Sequence, residues 1–184
     1  MIREGILSFT SEERQALILN ALKIIFFTSL LSLSALIRIP LPFTPVPFTL
    51  QVFIVALSVL YLGRLSTVST ALYLLIGAVG IPVFSGGTGG LAHLAGPTGG
   101  YLYGFVVGAF IGGLISERGG IIYKTLSLII ALLIIYLCGC FHLILIYRAV
   151  LKTAITLGAV PFVVADLVKI AMSLGIYRTI GKIM

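Results

Sequence analysis

Any chemistry this sequence can do turns on Asp166 and Lys169. They stand three residues apart in PFVVADLVKI, residues 161–170, a stretch otherwise apolar enough for a membrane-spanning helix, and Asp166 is the only aspartate in the chain. An ionisable side chain at membrane depth costs about 2.5–3.5 kcal/mol on insertion scales and is kept where it lines a cavity or meets a partner. Positions i and i+3 share a helix face, so two readings are open. The pair neutralises itself, or its carboxylate accepts N–H groups while its ammonium donates, and together they hold a ligand carrying both kinds of group.

The rest of the chain has to position that pair. Of 184 residues, 60% are hydrophobic and only 9% charged, with a mean hydropathy of +1.24, whereas a soluble domain carries about 25% charged residues. The chain therefore reads as an all-α integral membrane protein, one membrane domain over residues 1–184, with a polar segment 1–14 leading into a helical bundle 15–184. A span takes about 20 residues, which leaves room for about six. The expected spans are residues 16–39, 50–62, 67–83, 101–115, 121–140 and 161–177, with a short interfacial helix over 147–156. The first apolar run is too long for a signal-peptide core and has no small-x-small cleavage site after it, so it is expected to stay attached as a span. Its small residues Thr28, Ser29, Ser32, Ser34 and Ala35 suit close approach of another helix, in this chain or in a partner.

Two connecting stretches stand out. Residues 40–51 hold Pro40, Pro42, Pro45 and Pro47, a density that forbids helix. An apolar loop of this kind is tolerated when it folds back over the protein as a lid, with Phe43, Phe48, Thr49 and Gln51 as its ceiling. Residues 86–90 (GGTGG) and 96–100 (GPTGG) are near-copies ten residues apart, glycine-rich enough for backbone to come near a ligand. Beyond them Gly100, Gly104, Gly108 and Gly112 recur every four residues and make one smooth helix face, suited to internal packing before external docking.

Charge sets the orientation. Arg3, Arg14, Lys23, Arg64, Arg118, Lys124, Arg178 and Lys182 fall on the side of the termini, against Arg38, Arg148 and Lys152 on the other. By the positive-inside rule both termini are cytoplasmic. The proline loop, the glycine-rich loop and the start of the last span then share the outer face, which describes a small-molecule site open to the exterior.

Other chemistries find little support. The basic residues are scattered, with no aromatic-basic platform for nucleic acid. Cys138, Cys140 and His142 form a lone C-x-C-x-H without a second ligand cluster, so they read as small filler and no metal is expected. Neither histidine has a carboxylate near it in sequence, which leaves no nucleophile–base pair and no catalytic residue to name. GxxxxGK[ST] is absent, so any ATP-driven step belongs to other subunits.

FTPVPFTLQVF in the first loop, GG-T-GG leading into AGPTGGYLYGF, and PF-x-x-x-D-L-x-K in the last helix resemble the BioY family, the biotin-binding S components of energy-coupling-factor (ECF) transporters, over about residues 20–180. The resemblance implies an S-component fold of six transmembrane helices in the cell membrane, with the proline-rich loop after the first helix as lid. It also implies capture of biotin from the exterior and assembly with a transmembrane coupling (T) component and two ABC ATPases. Asp166 would accept from the ureido N–H groups and Lys169 would meet a polar end of the ligand. Thr98, Gly99, Gly100 and Tyr101 carry the family's GPTGGY motif, and backbone N–H groups at the start of that helix would receive the valerate carboxylate. Thr49 and Gln51 belong to the lid, and Phe48, Phe84 and Tyr101 would pack on the ring. No cofactor is implied. Two positions depart from the family pattern. Val164 and Ala165 stand where Pro-Gly commonly precedes the aspartate, so the helix is expected to begin earlier. Thr28 and Ser32 are the nearest match to the alanine-x3-alanine docking motif of the first helix. An S component for another vitamin, a membrane scaffold and a small membrane enzyme are the alternatives.

Overall fold

The structure is a computed structural model and describes residues 10–180. Arg3, Lys182 and most of segment 1–14 lie outside that range. Thr10 opens the first helix with a reciprocal cap, its hydroxyl accepting from Glu13 N–H (3.2 Å) and the Glu13 carboxylate accepting from Thr10 N–H (2.8 Å). Helix α1, Ser11–Leu36, follows. Strand β1, Arg38–Ile39, then pairs antiparallel with β2, Phe48–Thr49, so that Arg38 faces Thr49 and the proline loop is tied at its two ends. Helix α2, Gln51–Leu62, a 3₁₀ turn, Gly63–Leu65, and α3, Ser66–Ala78, come next. A one-turn helix α4, Leu91–Leu94, precedes α5, Gly99–Ser116, and α6, Gly120–Tyr147. The chain closes with α7, Leu151–Gly158, and α8, Val160–Ile180.

Among the described residues, five helical stretches are long and apolar enough to cross a membrane: α1, Gln51–Ala78, α5, α6 and α8. Six were expected, and the difference lies in Gln51–Ala78, which holds two of them. That stretch is not straight. Gln51 Nε2 donates to Tyr73 Oη at 2.8 Å, although 22 residues of continuous helix would separate them by about 33 Å. The reversal is made at Gly63, whose φ of 57° favours glycine. The Glu117 side chain packs on the same residue, where a Cβ would collide with it.

The small-residue face of α5 is spent inside the molecule. A Cβ at Gly104 would stand 2.8 Å from Ile135 Cα, one at Gly108 2.9 Å from Ala131 O, and one at Gly112 3.0 Å from Ser127 O, all on α6. The two backbones therefore touch along their length, and this seam carries the core. On α1, Thr28 is likewise turned inward: its hydroxyl meets the Ser69 hydroxyl on α3 at 3.1 Å. Thr28 is buried and its partner in spacing, Ser32, half-buried, so the Thr28–Ser32 face is packed within this chain. The outer faces of α1, α6 and α8 instead present large apolar groups such as Phe26, Ile122, Leu137 and Val164, as surfaces in contact with lipid must.

Helix ends differ from expectation for local reasons. Instead of reaching residue 83, α3 stops at Ala78, two residues before Gly80 with φ of 103°. Running past residue 140 to Tyr147, α6 ends where Arg148 adopts a left-handed conformation, φ 48°. The interfacial helix consequently starts at Leu151. In α8 Pro161 occupies the first turn, where a missing N–H costs little.

Candidate ligand-binding site

The cavity forms where α5, α6 and α8 meet the strand pair and the glycine-rich loop. Its free volume is about 570 Å³, the open mouth included, within the range of small-molecule sites. Because α8 starts at Val160, Asp166 and Lys169 lie one and a half to two and a half turns in and face the cavity, with side chains only 4% and 8% exposed. Lys169 Nζ meets Asp166 Oδ1 at 2.7 Å. It also donates to Thr49 O at 2.7 Å and sits 3.9 Å from the centre of the Phe48 ring, a favourable cation–π contact. The other carboxylate oxygen, Oδ2, accepts from Tyr136 Oη at 2.7 Å. Every charge here has a partner, so the pair is tolerable at depth. Lone pairs on both carboxylate oxygens remain for N–H donors in the cavity.

Thr49, Gln51, Thr98 and Tyr101 also line the cavity. Gln51 is held by its bond to Tyr73. Tyr101 is held by donation to Gly158 O at 2.7 Å, its ring lying where a side chain on Gly139 would be. Four expected residues stand elsewhere. Phe48 covers Lys169 from outside the cavity wall. Phe84 is fully buried behind His93, their rings stacked at 5.0 Å. Gly99 and Gly100 allow contact with Leu94, Cys138 and His142, and do not face the cavity. Of the backbone donors expected at the start of α5, two are engaged locally: Gly99 N–H bonds to Gly96 O and Tyr101 N–H to Thr98 O, both at 3.1 Å. Phe43 is exposed and does not line the cavity, to which the proline loop contributes Val46 and Pro47.

The near-copies GGTGG and GPTGG gain a reason. Thr88 and Thr98 each lie five residues from His93 and bond to its two ring nitrogens, Nδ1 at 2.8 Å and Nε2 at 3.0 Å. The Thr88 hydroxyl donates to Ser85 O (3.2 Å), so Nδ1–H is the donor to Thr88 and Nε2 accepts from Thr98. Burial, and then the Arg38 guanidinium, hold the His93 pKa below its ordinary 6.5. A lowered folded pKa means that the unfolded chain takes up the proton first, so this contribution to stability is complete above about pH 6.5 and is lost as pH falls below it. Thermal unfolding of the wild type should therefore come earlier at pH 5 than at pH 7.5, and His93→Gln should shrink the difference. An equal pH response in both proteins would contradict it.

Sequence reasoning missed Tyr136, His93 and Ser85. Tyr136 had a signal, a phenol in the middle of an apolar run, which must find a partner there. Replacing it by Phe removes one donor to an ionised group, worth about 1.5–3 kcal/mol. Tyr136→Phe should thus change ligand affinity by about 10- to 150-fold with the fold intact, read by calorimetric titration; an unchanged affinity would remove Tyr136 from the site. Ser85 lines the cavity with a buried hydroxyl that has no hydrogen-bond partner among the described residues.

Residues 10–184 match the model of the BioY family. The chain belongs to the BioY family. Among curated relatives, the biotin transporter BioY of Thermotoga maritima is 46% identical over 149 residues, 80% of this chain and 86% of that protein. The probable biotin transporter BioY of Pyrococcus horikoshii is 44% identical over 146 residues, 79% and 85% of the two chains. The crystal structure of the S-component for biotin from an ECF-type ABC transporter superposes with a TM-score of 0.84 at 23% identity, over 95% of each chain. In this BioY member the GPTGGY segment supplies Thr98 and Tyr101 to the cavity, while Gly100 packs on Cys138 and His142 at the α5–α6 seam and Gly96 and Gly99 lie against the end of α4. Asp166 and Lys169 face the cavity although Val164 and Ala165 precede the aspartate.

Proposed function

We propose that this chain captures biotin at the outer face of the cell membrane as the substrate-specific S component of an ECF-type transporter. It is a transporter component and not an enzyme. The observation that carries the reading is the cavity floor. In a chain matched to the BioY family from residue 10 to 184, a buried carboxylate and ammonium meet in an otherwise largely apolar pocket. A ureido group offers N–H donors to Asp166 and a carbonyl to Lys169. The valerate carboxylate needs a cation that Asp166 has not already neutralised, and Arg38 answers. It lies opposite Thr49 in the strand pair, with its guanidinium against Gly86 beside the cavity-lining Ser85.

The reversal at Gly63 supports six membrane crossings, α2 and α3 being two short ones, with both termini cytoplasmic. The proline loop acts as lid. Val46 and Pro47 face the cavity, Thr44 Oγ1 donates to Leu157 O at 2.7 Å, and Lys169 holds Thr49 O. A ligand that draws on Lys169 thus competes with a lid contact. A T component and two ABC ATPases would supply the energy-coupled step.

A panel of radiolabelled vitamins offered to the purified protein in nanodiscs tests the assignment. Biotin should bind saturably at submicromolar concentration while thiamine, riboflavin and folate do not. Tight binding of another member in place of biotin would reassign the substrate.

A further inference from the structure

At the end of the bundle away from the cavity, two contiguous grooves with free volumes of about 790 and 610 Å³, open surface included, share Glu117, Lys124 and Tyr177. Their walls come from the end of α2, the α5–α6 turn and the end of α8. The single carboxylate among these lining residues is spent: Glu117 pairs with Arg64 at 3.0 Å and accepts from Arg64 N–H at 2.8 Å. Lys124 and Arg178 have no carboxylate partner among the described residues. Lys124 is held in place by Leu60 O (3.2 Å) and Ser116 Oγ (2.9 Å), with the Tyr177 ring 4.9 Å from its ammonium. Tyr61, stacked edge-on against Tyr177 at 5.3 Å, also lines the groove. Its hydroxyl is shut off from solvent and has no hydrogen-bond partner among the described residues.

We infer that this groove binds the phosphodiester headgroup of an anionic lipid. Two cations without a carboxylate partner ask for an oxyanion, and basic pockets between spans at the membrane surface take such headgroups. A lipid is favoured over soluble phosphate because the groove runs out onto apolar surface. Ile121 lines it, and Ile122 next to it is 77% exposed, which offers a bed for acyl chains.

Native mass spectrometry of the full chain, exchanged between nanodiscs of phosphatidylcholine and of phosphatidylglycerol, tests this. The wild type should retain phosphatidylglycerol in preference. Arg178→Gln should cut that preference by about fivefold, the worth of one interfacial cation, and Arg178→Lys should restore it. Lys124→Gln, which removes the other cation lining both grooves, should cut it by a similar factor and keeps the test decisive should Arg178→Gln fail to fold. Biotin binding should be unchanged in all three. No lipid preference in the wild type, or an unchanged preference in both Arg178→Gln and Lys124→Gln, would overturn the inference. Displacement of the lipid by inorganic phosphate would overturn it in favour of a free-anion site. Variants that keep the lipid but lose a co-purifying coupling protein would overturn it in favour of a protein-docking face.

Discussion

Asp166→Asn should abolish submicromolar biotin binding, weakening it by at least about 100-fold, and should lower thermal stability at the same time. Both effects come from one geometry. The carboxylate takes Lys169 on Oδ1 and Tyr136 on Oδ2, each at 2.7 Å. Removing one member of a buried, hydrogen-bonded pair strands the other charge, at about 3–5 kcal/mol. Affinity and stability can be separated. Asp166→Asn/Lys169→Met removes both charges, and replacing a buried pair with groups of similar volume is often neutral or stabilising. The double variant should recover much of the lost thermal stability and none of the affinity. If it bound biotin like the wild type, the pair would be a self-contained structural bridge, and the ligand would have to be held elsewhere.

The second large effect is architectural. Gly100→Val should unfold or misassemble the bundle, because a Cβ at Gly100 collides with the Cβ of His142 and comes within 2.5 Å of Cys138 O. The obstacle is backbone and Cβ, so no side-chain rotation relieves it. Overpacking of this kind costs about 3 kcal/mol or more. It would also shift Tyr101, the next residue, which lines the cavity. Gly175→Ala is the matched control: Gly175 lies inside α8 with nothing within 4 Å of its Cβ position, so alanine should be neutral or stabilising by about 0.5–1 kcal/mol. Thermal-shift measurements on the two variants check the contrast. Equal responses would show that the glycine spacing on α5 carries no packing requirement.

How much the sequence disclosed follows the physics of each signal. Insertion cost made Asp166 and Lys169 conspicuous, and their shared helix face followed from i, i+3 spacing. The four-residue glycine period announced a seam, and it pairs α5 with α6. Local signals were weaker guides to contact. Glycine-rich sequence suggested backbone open to a ligand at residues 99–101, yet the turn there uses the Gly99 and Tyr101 N–H groups itself. The role of His93 depends on Thr88 and Thr98 converging in space, which the repeat hinted at only by its ten-residue spacing. The fold-back at Gly63 was legible as the gap between the expected spans 50–62 and 67–83. Tertiary hydrogen bonds such as Gln51–Tyr73 reveal what composition averages away.

The most direct test of the central claim is a calorimetric titration of biotin into the purified wild-type protein beside the Asp166→Asn/Lys169→Met variant. The expected result is one saturable site of submicromolar affinity in the wild type and no measurable binding in a folded double variant. Saturable binding of equal strength in both, or none in the wild type, would contradict it.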